Sequence, residues 1–145
     1  MKTTDLHSHS HAVGQSAWHF EWCTKYRYKM FRQDKYKSMA ENALREAARR
    51  HGIELRELAV APDHCHAAAE LPPTMSPSQA MGLLKGCSAH KIFREEPKFR
   101  LRYPRGHLWS PGKFYRSAGD ADLETIDDYV RGHDEKQATL VQFPN

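Results

Sequence analysis

Few cysteines and no long apolar run occur in the 145-residue sequence. The three cysteines, Cys23, Cys65 and Cys87, are far apart and no CxxC spacing is present, so neither a disulfide framework nor a cysteine zinc knuckle is indicated. We expect them to be small buried side chains in a reducing cytosol. No apolar run approaches the length of about 20 residues that crosses a bilayer, and the N-terminus lacks a signal-peptide apolar region. We therefore expect a soluble, cytoplasmic protein.

Internal repeats, low-complexity blocks and a glycine-rich phosphate loop are also missing. Without that loop, the sequence gives no sign of a nucleotide-driven reaction. The length suits one compact domain with its own core. We assign residues 1–16 to a flexible N-terminal arm, residues 17–137 to the domain and residues 138–145 to a C-terminal tail.

Positive charge is concentrated in two segments. The formal net charge is +4, and residues 25–37, KYRYKMFRQDKYK, contain six Lys or Arg against one Asp. Residues 91–105 contain six more against two Glu, whereas residues 120–135 are acidic. Cations interleaved with aromatic rings suit a nucleic acid, since cations meet phosphates and rings stack on bases. Two solvated loops are the alternative explanation.

Hydrophobic periodicity predicts elements in the order β-α-β-β-α-β-α. They are strand 17–26, helix 36–51, strand 53–61, strand 64–71, a helix from residue 76 to about 94, a short strand or turn within 107–119, and helix 122–137. The first six match the split β-α-β pattern. We expect an α+β fold: a ferredoxin-like, RRM-like antiparallel sheet with helices on one face and a C-terminal helix that carries a tyrosine.

Alternation along the first strand predicts that it is half-buried. Its aromatic residues share one face, and the opposite face carries His19, Glu21 and Cys23. In the second strand the apolar parity shifts between Leu55 and Leu58, which predicts a bulge or a bend.

The second helix has a clear start and two unusual interior positions. Ser76 is placed as its N-cap, Pro77 at the first helical position and Gln79 at the third position of a capping box. Gly82 and Gly86 lie one turn apart inside it. Each costs about 1 kcal/mol relative to alanine, so we expect close packing or close approach of a ligand there.

Two histidines lie two residues apart in the third strand, within APDHCHAAAEL at residues 61–71. A strand period of two puts His64 and His66 on one face together with Ala68 and Glu70. Imidazoles at that spacing on a rigid strand can share one cation. A hydrogen-bonded core pair and a chance pattern remain alternatives.

The last predicted helix brings a tyrosine and a histidine together. Tyr129 and His133 are four residues apart, so they project from the same side and flank an apolar stripe. If that stripe docks on the sheet, His133 supplies a third metal ligand and Tyr129 a phenol beside it. The alternative is a half-buried Tyr129 that only fills space, with His133 on the surface.

Five segments together resemble one family. They are WCTKYRYKMF, APDHCHAAAEL, LLKGCSAHKIF, LWSPGKFYRSAG and DDYVRGHDEKQ. In order and spacing they are similar to the HUH single-tyrosine transposases of the smallest insertion sequences, the IS200-like TnpA type, which are related to the REP-associated tyrosine transposases. The similarity covers about residues 17–137.

This resemblance implies a mechanism. His64 and His66 match the histidine pair that binds Mg²⁺ or Mn²⁺, and Tyr129 matches the nucleophile. Attack on a phosphodiester of single-stranded DNA would form a 5′-phosphotyrosine link and release a 3′-OH. Strand transfer would then excise and insert a mobile element without a nucleotide cofactor. The family also implies recognition of subterminal DNA hairpins and a homodimer in which the tyrosine helix can complete the partner's metal site.

Two positions depart from the family pattern. Better-known members carry a glutamine where this sequence has His133, and imidazole is a softer ligand that favours Mn²⁺ or Zn²⁺. The third strand also carries Ala67, Ala68 and Ala69 where larger aliphatic residues are usual, which raises the question of how the layer beneath the site is filled.

Several cations are candidates for contacting DNA phosphates. They are Lys25, Arg27, Lys29, Arg32, Lys85 and Arg116. For the homodimer, a short strand between Leu108 and Tyr115 offers an edge that two chains could pair. Two other functions stay open: a transposase-derived protein that binds hairpin DNA without cutting it, and a metal-dependent phosphoesterase that uses water.

Overall fold

Six strands are present in the computed structural model, which describes residues 7–9, 12–14 and 16–118. Strands β1 (His7–His9) and β2 (Ala12–Gly14) pair as an antiparallel hairpin within the predicted N-terminal arm. The other four, β3 (Ala17–Cys23), β4 (Glu54–Ala61), β5 (His64–Glu70) and β6 (Phe114–Ala118), form one antiparallel sheet in the order β4-β5-β3-β6.

Two helices complete the predicted β-α-β-β-α-β order. Helix α1 spans Asp34–Arg50 and helix α2 spans Pro77–Glu95, and buried residues of both join the core formed by one face of the sheet. The expected ferredoxin-like α+β fold is confirmed, since the two central strands are the first and third of this order. The predicted helix 122–137 lies outside the described residues. None of the helices within residues 16–118 is long and apolar enough to cross a membrane.

The first strand of the sheet ends earlier than predicted, at Cys23 rather than residue 26. Residues Lys25–Arg27 form a 3-10 turn in which Tyr26 and Arg27 both have positive φ, 63° and 54°. A left-handed backbone is incompatible with strand pairing, and alternating side chains alone did not reveal it.

Aromatic residues of β3 pair with small residues of β5 on the helix-facing side of the sheet. Phe20 lies opposite Ala67, Trp22 lies opposite Cys65, and the larger members are fully buried. Large side chains on one strand fill the space left by small ones on its neighbour. On the helix side of the sheet, the large rings of Phe20 and Trp22 therefore pack beside the small residues Ala67 and Cys65.

The opposite face of the sheet is buried as well, which the half-buried prediction for β3 missed. His19, Glu21, His64 and His66 lie on this face, and each is less than a tenth exposed. Alternation of polar and aromatic residues suggested a solvent-facing side, but the polar side chains are close to one another instead. Mutual contacts make burial of polar groups tolerable.

The predicted bulge in β4 is confirmed. The register with β5 shifts between Leu55 and Glu57, so Arg56 is the extra residue. The shift keeps Leu58 on the helix side and turns Glu57 toward the face that carries the histidines. The Arg56 Nη1 atom lies 3.8 Å from Glu70 Oε2, and Glu70 is buried on that face.

Helix α2 begins as predicted, and its glycines differ from expectation. The Ser76 hydroxyl accepts a hydrogen bond from the Gln79 backbone N–H at 3.0 Å. Gly82 and Gly86 are exposed, and a Cβ atom at either would meet nothing within 4 Å. The expectation of close packing at these glycines was therefore wrong, whereas the alternative, close approach of a ligand, stays a prediction. Cys87 on the same helix is only half-buried, unlike Cys23 and Cys65, which are buried as expected.

The 3-10 turn after β3 is held by a cluster of tyrosines. The Tyr103 hydroxyl donates a hydrogen bond to the Lys25 carbonyl at 2.9 Å. The Tyr26 ring stacks on the Tyr103 ring with centroids 6.3 Å apart, and Tyr28 lies 5.5 Å from Tyr103. Burial raises the pKa of Tyr103 to about 12. The left-handed turn is thus fixed by a buried, neutral phenol.

Replacing Gly82 by alanine should stabilise the protein. The position is exposed, helical and open around the added Cβ, so alanine should raise the free energy of unfolding by about 0.5–1 kcal/mol. Urea denaturation measures this. Gly52→Ala is the matched control: Gly52 has φ +70°, so the same change should destabilise there. Loss of stability in Gly82→Ala would show that α2 packs closely at this point.

Tyr103→Phe should lower stability by about 0.5–1.5 kcal/mol at neutral pH, because the hydrogen bond to Lys25 is lost. The raised pKa means that the folded state favours the neutral phenol. The stability that comes from keeping this phenol neutral is complete below the ordinary pKa of 10.0 and is lost as the pH rises toward 12. Between about pH 9 and pH 12, the free energy of unfolding should therefore fall more steeply in the unmodified protein than in Tyr103→Phe. Parallel curves would contradict this assignment, and Tyr115→Phe, with an exposed ring, serves as the control.

Candidate metal centre

His64 and His66 lie together on one buried face of β5, as their spacing predicted. Their ring centroids are 5.1 Å apart with an interplanar angle of 84°. In the pairing of β5 with β3, His66 lies opposite Glu21 and His64 opposite Cys23. A central strand paired on both sides fixes these positions, so the two imidazoles have little freedom to separate.

Asp63 orients the His64 ring. The Asp63 Oδ1 atom lies 2.8 Å from His64 Nδ1, and the Arg27 Nε atom lies 3.3 Å from Asp63 Oδ2. Burial opposes ionisation of Asp63, but the hydrogen bond with His64 and the charge of Arg27 outweigh it and hold the pKa of that carboxyl below its ordinary value. An ionised carboxylate only accepts hydrogen bonds, so His64 Nδ1 carries the hydrogen. In the neutral ring the lone pair is then on Nε2, the arrangement typical of metal-bound histidine.

Glu21 lies between two histidines on the same face. Its Oε1 atom is 3.2 Å from His66 Nδ1 and 3.6 Å from His19 Nε2. The His19 and His66 rings are nearly parallel, at 4°, with centroids 5.8 Å apart. One ligand atom from each of the three residues lies within 4.8 Å of the other two. Sequence reasoning did not single out His19 and Glu21, although their alternation on the non-aromatic face of β3 was the available signal.

The donor atoms on this face suit a divalent transition metal. Imidazole nitrogen binds Mn²⁺ and Zn²⁺, and a carboxylate oxygen adds affinity for harder ions such as Mg²⁺ and Mn²⁺. The donor atoms of His19, His64, His66 and Glu21 therefore fit the divalent metal expected from the resemblance. The third predicted ligand, His133, and the predicted nucleophile, Tyr129, lie outside the described residues.

Four of the candidate DNA-binding cations follow β3 directly. Lys29 and Arg32 are exposed, Lys25 is half-buried with its Nζ atom 5.5 Å from the Tyr26 ring centre, and Arg27 contacts Asp63. Tyr26 itself is 65% exposed. This segment therefore places cations beside an exposed aromatic ring, and its contact with nucleic acid stays a prediction.

The remaining two cations have different surroundings. Lys85 donates hydrogen bonds to the carbonyls of Ser110 and Gly112 at 2.7 and 2.9 Å, and burial lowers the pKa of its ammonium group. Lys85 thus anchors the segment before β6, at the wall of a cleft of about 480 Å³ that Trp109 also lines. Arg116 is exposed on β6 and lies opposite His19, on the face that carries the metal-binding candidates.

Comparisons with known proteins identify relatives over nearly the whole chain. A family model described as IS200-like transposase matches residues 12–133. The ISDra2 transposase TnpA of Deinococcus radiodurans is 26% identical over 125 residues, which cover 86% of this chain and 89% of that protein. The transposase for insertion sequence element IS200 of Salmonella typhimurium is 27% identical over 127 residues, covering 88% and 82%.

Solved structures agree with these relatives. The crystal structure of a putative transposase from Deinococcus radiodurans superposes with a TM-score of 0.71 at 26% identity, covering 87% of this chain and 96% of that one. A REP-associated tyrosine transposase bound to a REP hairpin has the same fold, with a TM-score of 0.59 at 17% identity over 88% and 74% of the two chains. Because the family match extends over most of the sequence, the chain belongs to the IS200-like transposases and is a DNA transposase.

Proposed function

We propose that this transposase acts on single-stranded DNA through a covalent tyrosine intermediate. The Tyr129 phenolic oxygen bonds to the phosphorus, the bond from phosphorus to the 3′ oxygen breaks, and the products are a 5′-phosphotyrosine and a 3′-OH. The phenol loses its proton and the leaving oxygen gains one. Reversal by a new 3′-OH joins the strand elsewhere, which excises or inserts a mobile element. The observation that carries this proposal is the buried pair of His64 and His66, with Asp63 holding Nδ1 of His64.

The metal would be held by His64, His66 and His133. These residues would hold a divalent ion, which would supply Lewis-acid polarisation of the scissile phosphate. Asp63 contributes by keeping the His64 ring in one tautomer and one orientation. A third imidazole from His133 would favour Mn²⁺ over Mg²⁺ at this site.

A cluster of alanines offers a place for the predicted tyrosine helix. Ala17, Ala68 and Ala118 form a small apolar group on the histidine face of the sheet. Alanines allow close approach of a helix, and the stripe of the predicted helix contains Ile126 and Val130. Docking on the alanines would bring Tyr129 and His133 toward His64 and His66.

The substrate would be DNA with subterminal hairpins. The exposed Lys29 and Arg32 and the exposed Tyr26 ring provide phosphate contacts and a stacking surface for unpaired bases. The REP-associated relative is bound to a REP hairpin, which supports a hairpin as the recognised element here. Recognition by these groups does not require a paired duplex, so it is compatible with a single-stranded substrate.

We further propose a homodimer formed through β6, which begins at Phe114 rather than near Leu108 as the sequence predicted. Within the described residues, β6 pairs with β3 on one side, and Tyr115, Arg116 and Ser117 are exposed. An edge strand presents unpaired backbone groups that a second copy can pair across a two-fold axis. We propose that in such a dimer the tyrosine helix of one chain completes the metal site of its partner.

Removing two exposed cations should weaken DNA binding in a salt-dependent way. Lys29 and Arg32 have no role in the described metal centre, so Lys29→Ala with Arg32→Ala should reduce affinity for hairpin DNA. Each lost phosphate contact lowers the slope of log affinity against log salt by about 0.7 for single strands and 0.9 for duplex. Fluorescence anisotropy at several salt concentrations measures both quantities. Arg45→Ala with Arg49→Ala removes the same charge from exposed positions on α1 and is the control; equal effects in both pairs would make the loop an ordinary solvated surface.

Tyr129→Phe should abolish strand cleavage and leave DNA binding nearly unchanged. The unperturbed phenol has a pKa of about 10, so it is mostly protonated at neutral pH and its loss removes the nucleophile rather than a charge. Incubation with single-stranded element ends and Mn²⁺ or Mg²⁺, followed by denaturing electrophoresis, reports both cleavage and covalent adduct. Tyr115→Phe should retain both activities.

Two results would contradict the proposal. Cleavage without any adduct in the unmodified protein would indicate attack by water, as in a phosphoesterase. Tight hairpin binding with no cleavage under any metal would indicate a protein that binds DNA without cutting it.

A further inference from the structure

A second set of metal donors adjoins the His64–His66 pair. His19, Glu21 and His66 come from two neighbouring strands, and β3 places Glu21 directly opposite His66. Each residue is less than a tenth exposed. Two of these three residues, His19 and Glu21, are not among the ligands of the proposed function, which are His64, His66 and His133.

The spacing of the three donors suits coordination of one ion. Ligands bound at about 2.1 Å lie roughly 3.0 Å apart in an octahedron and 3.4 Å apart in a tetrahedron. Glu21 Oε1 lies 3.2 Å from His66 Nδ1 and 3.6 Å from His19 Nε2. The three donors are within 4.8 Å of one another, so rotation of the side chains can bring them around a common centre.

The chemistry of the set is also that of a metal site. Two imidazoles and one carboxylate are a recurring donor set for divalent first-row metals, with remaining positions open to water or substrate. Glu21 supplies one negative charge, which offsets half the charge of the ion in a buried setting where an uncompensated ion is costly. A side chain without negative charge at position 21, such as a lysine or an amide, would not offset the charge of the ion.

We propose that His19, Glu21 and His66 form a second divalent-cation site, which competes with the His64–His66 pair for His66. A neutral imidazole has one ring nitrogen with an available lone pair. His66 therefore serves one ion at a time, through Nδ1 toward Glu21 or through Nε2 in the other tautomer. The two donor sets are alternatives, and either can hold an ion when the other is disabled.

Competition for a shared ligand has a distinctive signature in variants. His64→Ala disables the first set and leaves the second, whereas Glu21→Gln disables the second and leaves the first. Each single variant should keep an ion at this face, and the double variant should lose it. If His64 and Glu21 were instead ligands of a single site, each single variant would already lose affinity for the ion, and this redundancy would not be seen.

The test is a Co²⁺ titration of the full chain followed by visible absorption, with Mn²⁺ binding measured by electron paramagnetic resonance. Adding Glu21→Gln to His64→Ala should lower the affinity for the ion. Loss of an outer-shell partner alone lowers metal affinity by about 10–100-fold, so loss of the ligand Glu21 should have at least that effect. Glu70→Gln in the same background is the control, since Glu70 is a buried carboxylate on the same face outside the cluster. The arm residues His7, His9 and His11 are present in every variant, so their contribution cancels.

Three results would overturn the second site. The first is that His64→Ala binds no more Co²⁺ than His64→Ala with Glu21→Gln. The second is that Glu70→Gln weakens binding as much as Glu21→Gln does. The third is that His19→Asn leaves the ion in His64→Ala unchanged. Circular dichroism of each variant establishes that the fold is retained, and Glu21→Gln is nearly isosteric.

Failure of this inference is distinguishable from failure of the proposed function. Cleavage of single-stranded DNA tests the first donor set: His64→Ala should lose cleavage even while it retains Co²⁺. Persistent cleavage in His64→Ala would contradict the catalytic role of His64 and leave the ion-binding result standing. Loss of both the ion and cleavage in His64→Ala would contradict the second site and leave the proposed function intact.

Discussion

The antiparallel pairing of β3 with β5 determines where every described side chain of the metal centre lies. A strand has two faces, and a shift of one residue in this register would exchange them. In the observed register, Phe20 and Trp22 meet the small residues Ala67 and Cys65 on the helix side. The same register brings Glu21 opposite His66 on the other side. Core packing and the arrangement of polar groups are therefore fixed by one set of backbone hydrogen bonds.

Burial of polar groups on this face imposes a second constraint. An isolated ionised group inside a protein is costly, and opposite charges or hydrogen bonds must offset that cost. Asp63 is held ionised by His64 and Arg27, and Glu21 lies between His19 and His66. Arg27 connects the loop that carries the candidate DNA contacts to the residue that orients a metal ligand. Binding of a phosphate by Arg27 would compete with Asp63, so this loop and the metal centre are not electrostatically independent.

Features that depend on local sequence could be predicted, and features that depend on distant contacts could not. The shared face of His64 and His66 follows from the strand period, and the Ser76 cap follows from the residues around it. The bulge near Arg56 was visible as a change of apolar parity. Burial of Glu21 was not visible, because it depends on which residue of β5 lies opposite. The exposure of Gly82 likewise depends on the cleft that residues of α1 and α2 line together. The left-handed turn at Tyr26 depends on Tyr103, which is almost 80 residues away in sequence from Lys25.

The family to which the chain belongs and the fold both agree with the segments that first indicated them, whereas the roles of Tyr129 and His133 stay predictions. The most direct measurement is to identify the residue that becomes linked to DNA. The unmodified protein is incubated with single-stranded element ends and Mn²⁺, the DNA is trimmed, and the modified peptide is sequenced by tandem mass spectrometry. The account predicts one nucleotide-bearing peptide, with the phosphate on Tyr129 and bonded to the 5′ side of the cut. A phosphate on any other residue, or cleaved DNA with no modified peptide, would contradict it.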